Sequence, residues 1–110
     1  MAKLGRAYAV PDLHPVTPGH VLVIPVRHVE DFFGMTREEK TDCAALVEEL
    51  RGRILNEDPS VAGFNVGVNC GEAAGQTVMH AHVHLIPRRR GDTPRPRGGV
   101  RGVIPEKMAY

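Results

Sequence analysis

The sequence predicts an α+β domain in which one long helix packs on one face of an antiparallel sheet. Three observations predict it. Apolar residues recur at helical spacing from Cys43 to Ile54. Residues 64–69 and 78–86 alternate apolar and polar side chains with the period of a strand. The elements run strand, helix, strand, strand, with no internal repeat and no sign of a second domain. A chain of 110 residues fits one domain.

Residues 11–19, Pro-Asp-Leu-His-Pro-Val-Thr-Pro-Gly, read as a loop, because three prolines and a glycine exclude regular structure. His20-Val-Leu-Val-Ile-Pro25 reads as a short strand closed by proline. Thr36 with Glu39 forms the pattern of a capping box, so a helix begins there. Cys43, Leu46, Val47, Leu50 and Ile54 give that helix its apolar face, and it ends near Asn56–Pro59. The strand at 64–69 places Phe64, Val66 and Val68 on one side. A turn with two glycines follows over Cys70–Gln76. The strand at 78–86 puts Met79, Ala81, Val83 and Leu85 on one face and His80, His82 and His84 on the other, and Pro87 ends it. The last two strands form a hairpin with a long connection. Residues 88–102, rich in Arg, Pro and Gly, read as an irregular basic segment.

Composition narrows the function. A net charge of +1 with neutral histidines gives no drive towards nucleic acid or an acidic membrane. Cys43 and Cys70 match neither a disulfide framework nor a redox motif and read as two small thiols. No apolar run approaches the roughly 18 residues that span a bilayer, and the N-terminus shows no apolar leader core. A cytoplasmic setting is expected.

The histidines carry the chemistry. Three of them at a spacing of two share one face of a strand. Three readings stand. The strand is an idle exposed one. Or neutral imidazoles hold zinc, with His20 or Cys70 as a further ligand, although no Asp or Glu adjoins the run to serve a hydrolytic centre. Or a histidine is a nucleophile towards phosphorus, splitting one displacement into two. In that third reading the far ring nitrogen must be protonated and held, flanking histidines donate to phosphate oxygens, and Gly75, Gln76 and Thr77 add donors from a turn.

His80-Ala-His-Val-His-Leu-Ile resembles the signature of the histidine triad (HIT) family. Pro18-Gly-His-Val-Leu-Val-Ile-Pro-Val-Arg-His28 resembles the family's upstream segment, and Asn69 followed by Gly75-Gln-Thr-Val78 resembles the block before its triad. The match covers about residues 9–90 of a single domain spanning 1–110, leaving 91–110 as an irregular C-terminal segment. The resemblance implies a HIT-like fold, a homodimer whose sheets join into ten antiparallel strands, and a nucleotide, with a purine base expected, in a cleft on each protomer. It implies release or transfer of a nucleoside monophosphate from a phosphoramidate or a dinucleoside polyphosphate, with no metal or other cofactor.

By position, His82 is then the nucleophile, His84 a donor to phosphate oxygens, His80 an orienting residue and His20 a support beside the triad. Asn69 holds the phosphate region. Gln76 and Thr77 contact the α-phosphate and leaving group, and Val78 gives a backbone N–H. Asp12 takes the place of the ribose-binding acid, with Leu13 touching base or sugar. His14 and His28 read as surface or structural residues, His28 away from the triad. The arginines at 88–90, 95, 97 and 101 read as a solvated basic edge or as contacts to a polyphosphate. Family members usually carry a further segment that walls the base. Here about ten residues precede Asp12, so a base pocket that is shallow, completed by the partner, or absent is expected. DNA end processing is not expected. The competing function is a nucleotide-binding module with little turnover.

Overall fold

The helix α1 spans Arg37–Glu57 and starts where the capping box places it. Thr36 Oγ1 accepts from the Glu39 N–H at 3.1 Å, and Glu39 Oε1 accepts from the Thr36 N–H at 2.8 Å. Each half satisfies a donor that the first turn would leave orphaned. Glu39 is nonetheless buried, and the forked guanidinium of Arg27 meets it at 2.8 and 3.0 Å. The hydrogen bonds from Arg27, and then from Thr36, hold the Glu39 carboxyl down at about 2. Cys43, Leu46 and Leu50 form the buried stripe, with Val47 and Ile54 packed partly against it. Burial pushes the Cys43 thiol up to about 11, which leaves it protonated and inert.

This computed structural model describes residues 2–110, and its sheet has five antiparallel strands. They are β1 (Ala2–Leu4), β2 (Ala7–Pro11), β3 (Val21–Pro25), β4 (Val61–Gly67) and β5 (Val83–Arg89), in the spatial order β1-β2-β3-β5-β4. Ala7, Ala9, Val21, Val23, Val83 and Leu85 point to the helix and join its apolar stripe in one core. Alternate residues of the same strands, including His84, face the other way.

The structure corrects the sequence reading at three places. Residues 2–11 form a hairpin, β1–β2, closed by a two-residue turn at Gly5-Arg6. Gly5 has φ +54°, and a Cβ there would fall 2.5 Å from Asp42 Oδ2, the oxygen that accepts from the Arg6 N–H. The turn is therefore both left-handed and pressed on α1, a position that suits glycine.

The last strand starts and ends later than alternation suggested. Residues 78–82 are not strand. The Ala81 N–H donates to the Val29 carbonyl and the Val78 carbonyl accepts from Gln76, so this stretch is tied to a loop and not to a ladder. Pro87 lies inside β5 and does not end it. β5 pairs with β3 only as far as Leu85, and the Pro87 carbonyl accepts from Thr17 Oγ1 at 2.6 Å. The missing proline N–H thus faces a side where no strand continues.

Arg88 and Arg89 are strand residues with fixed partners, not a solvated basic edge. Arg88 forks onto Asp92 at 2.7 and 2.8 Å and reaches Asn65, while Arg89 meets Asp58 at 2.8 Å. Residues beyond 91 fold into two short 3-10 turns, Gly99–Val103 and Pro105–Lys107.

Candidate active site

Loop 11–19, the start of β3, the connection 68–82 and the start of β5 converge on the sheet face opposite α1. A cleft of about 360 Å3 opens there. Asp12, Leu13, Asn69, Gly75, Thr77, Val78, His82 and His84, all singled out from the sequence, line it. Leu22 and His14 line it as well, and His14 was not anticipated there. Its backbone N–H donates to Asp12 Oδ1 at 2.8 Å, which fixes the acid at the mouth of the cleft. Leu13 is 90% exposed, so the cleft is open to solvent on that side.

Hydrogen bonds to groups that can play only one role fix the histidine tautomers. A carbonyl only accepts, so the 2.9 Å contact from His82 Nδ1 to the His80 carbonyl puts the proton on Nδ1. The lone pair of neutral His82 is then on Nε2. His80 Nε2 likewise donates to the Pro25 carbonyl at 2.9 Å. A backbone N–H only donates, and that of Val16 meets His20 Nδ1 at 3.0 Å. His20 must therefore carry its proton on Nε2, from which it donates to His84 Nδ1 at 2.9 Å. His84 is left with its own proton on Nε2. One ring thus presents a lone pair and its neighbour, 5.1 Å away between centroids, presents a donor.

His20 is buried, and burial lowers its pKa against the opposing pull of Asp12, whose Oδ2 lies 3.4 Å from Nε2. Burial also lowers that of His84, and the neighbouring His82 and His20 lower it further. Both rings are held neutral around pH 7, as the tautomer chain requires. Asp12, His20 and His84 bring ligand atoms within 4.8 Å of one another. Yet the Val16 N–H commits His20 Nε2 to donating, and a nitrogen that carries a proton cannot ligate a metal. The donor set does not fit an ion there.

Three expectations change. Gln76 does not face the cleft. It is 2% exposed, its Nε2 donates to the Glu30 and Val78 carbonyls at 2.6 and 3.1 Å, and its Oε1 accepts from the Gly71 N–H at 2.8 Å. Every side-chain atom that could touch a phosphate is occupied in shaping the 71–78 loop. His28, expected away from the triad, stacks edge-on against His80 at 5.1 Å. The three histidines also do not share one strand face: His84 is on β5, whereas His80 and His82 lie on the irregular approach to it. No residue-type signal marks Val16 as a partner of His20, because the contact comes from its backbone. A larger cavity, about 520 Å3, lies against Phe64, Arg88 and Pro94, and none of the histidines lines it.

The family model of the HIT domain matches residues 2–91. The chain belongs to the HIT family. A HIT family protein from Bacillus anthracis superposes on this HIT domain with a TM-score of 0.78 at 39% identity, over 84% of this chain and 64% of that one. The asymmetrical bis(5'-nucleosyl)-tetraphosphatase of Schizosaccharomyces pombe is 41% identical over 82% of this chain and 48% of its own length. An AP-4-A phosphorylase of Mycobacterium tuberculosis is 38% identical over 84% of this chain and 47% of its own. This HIT chain thus spans about half the length of these two curated relatives.

Proposed function

We propose that the chain cleaves a dinucleoside polyphosphate or a nucleoside phosphoramidate at the α-phosphorus, through a covalent nucleotidyl-histidine on His82. One observation carries the reading: the His80 carbonyl takes the Nδ1 proton of His82 and leaves the Nε2 lone pair for attack. In the first step Nε2 bonds to the α-phosphorus and the bond to the leaving phosphate, or to the leaving amine, breaks. In the second, water attacks the same phosphorus, the P–N bond breaks, and nucleoside monophosphate departs with His82 restored. The Nε2–H of His84 donates to the charge that develops on phosphate oxygens, as do the Thr77 hydroxyl and the backbone N–H of Val78, whereas the Gly75 and Gln76 N–H groups are spent on the Glu72 and Gly71 carbonyls. Asn69 holds the same region and Asp12 accepts from the ribose. The relatives named for cleaving bis-nucleosyl tetraphosphates support this substrate class.

The test is a rapid alkaline denaturing quench, under which the P–N bond of a nucleotidyl-histidine survives, with substrate radiolabelled at the α-phosphorus. Label should appear on the protein and vanish in the His82→Ala variant. A labelled variant, or a wild type that binds AMP tightly but turns over neither substrate class, would overturn the reading in favour of a binding module.

A homodimer belongs to the same proposal. Among the described residues β4 pairs only with β5, which leaves its outer edge free. Beside it a groove of Phe32, Ala44, Val47, Val66 and Val68 runs between α1 and the sheet. Pairing of β4 with β4 of a second copy would complete both strand edge and groove. Sedimentation should give twice the monomer mass, and Val66→Glu should halve it.

A further inference from the structure

The C-terminal segment, outside the residues that match the HIT domain, is folded with unusual care for a tail. Gly98 has φ +99°, and a Cβ there would fall on the Met108 carbonyl. A Cβ on Gly102 would press on Met108 Sδ at 2.8 Å. Arg101 donates to the carbonyls of Lys107 and Met108, and the guanidinium groups of Arg97 and Arg101 lie over the Tyr110 ring at 4.8 and 4.9 Å. These contacts order the segment, yet it leaves Val100 62% and Val103 78% exposed. The segment thus holds two valines outward on an ordered element.

Those valines wall a second cavity, of about 350 Å3. Val16 and Ile86 complete its apolar sides, and it shares His84 and Asn69 with the catalytic cleft. Its volume lies in the range of small-molecule sites, roughly 300–1,000 Å3. A substrate that reacts beside His84 can therefore extend past that residue into an apolar chamber.

We infer that this chamber receives the nucleoside of the leaving group, and that the C-terminal segment thereby selects dinucleoside polyphosphates over phosphoramidates. The inference rests on the reading of the cleft given above. A phosphoramidate expels only a small amine and has nothing to place between Val100 and Val103. A dinucleoside polyphosphate expels a second nucleoside whose base has apolar faces to bury. The reaction itself is unchanged: the leaving oxygen still departs from the α-phosphorus as Nε2 of His82 bonds to it.

The experiment uses the full chain and a Val100→Ser/Val103→Ser double variant. Both positions are solvent-exposed, so the core is untouched, and thermal melting checks the fold. Calorimetry measures a methylene-bridged diadenosine tetraphosphate analogue against AMP. The wild type should bind the analogue on the order of tenfold more tightly than AMP, and the variant should lose that advantage while binding AMP as before. Equal affinities in the wild type, or an advantage that survives in the variant, would overturn the inference, whether or not turnover is found. In parallel, kcat/KM for diadenosine tetraphosphate should fall about tenfold with adenosine phosphoramidate unchanged. Equal losses on both substrates, or a change in sedimenting mass, would assign the valines to a different role and sink the proposal. Absence of turnover in the wild type on both substrates would instead count against the reading of His82.

Discussion

The two faces of the sheet are made by alternate residues of the same strands, and they differ in almost every physical respect. Val83 and Leu85 point to α1 and are buried among Leu46, Leu50 and Cys43. His84, between them, points to the cleft and carries a hydrogen bond that sets its protonation. The helix face is held by packing, which tolerates no missing methylene but asks for no particular atom in a particular place. The histidine face is held by donors and acceptors whose direction matters more than their volume. Stability and chemistry are therefore separable here at single-residue spacing, and substitutions on the two faces should fail in different ways.

The largest contrast is expected at His82. His82→Ala should lower kcat/KM on a dinucleoside polyphosphate by about 10³-fold or more while the melting temperature barely moves, since the ring is only half-buried. A parallel loss of melting temperature would show that the two faces are not separable. Leu46→Ala should do the reverse. It should cost about 3 kcal/mol in urea unfolding, with turnover per folded molecule unchanged at low temperature.

His20 sits between these extremes, buried like a core residue and bonded like a site residue. His20→Ala should reduce kcat on the order of 10- to 100-fold, because His84 loses the donor that fixes its tautomer. His20→Gln, which keeps a donor and an acceptor, should recover part of that loss. Equal effects of the two variants on kcat would reduce His20 to a space-filler.

The smallest effect is on pH. His20 and His84 titrate below the ordinary value near 6.5 because burial disfavours their charged forms. As pH falls below 6.5 the unfolded chain takes up protons that the folded one refuses. Stability is thus complete above 6.5 and declines towards the folded values, by at most about 1.4 kcal/mol per histidine per pH unit. The urea midpoint should be lower at pH 5.5 than at pH 7.5, and an equal or higher midpoint would contradict the burial argument.

Much of this architecture is legible in the chain because local rules and tertiary contacts agree. The Thr36–Glu39 box, the spacing of Cys43, Leu46 and Leu50, and the β-branched run before Pro25 each specify an element that packing then keeps. The β1–β2 hairpin was less legible. Its fully buried residues, Ala7 and Ala9, are too small to announce a strand, and the close approach of Asp42 to its turn glycine comes from a distant helix. Alternation over 78–86 was read as one strand, although the part that holds His80 and His82 is tied to Val29 and Gln76 instead. The histidine motif located the cleft, since motif spacing reports which side chains gather. It could not report the tautomers, which depend on backbone groups of Val16, Pro25 and His80 that carry no residue-type signature.

The Val16 N–H has a consequence for how this site can vary. It is the only atom through which the loop at 11–19 instructs His20 by that bond, and the instruction passes through His20 to the far nitrogen of His84. Any side chain at position 16 can send it, save one. The loop already holds prolines at 11, 15 and 18, and a proline at 16 would match its neighbours in shape while removing that hydrogen. The neutral ring could then carry its proton on either nitrogen. A loop residue that touches no phosphate thus holds a veto over which end of His84 does the donating.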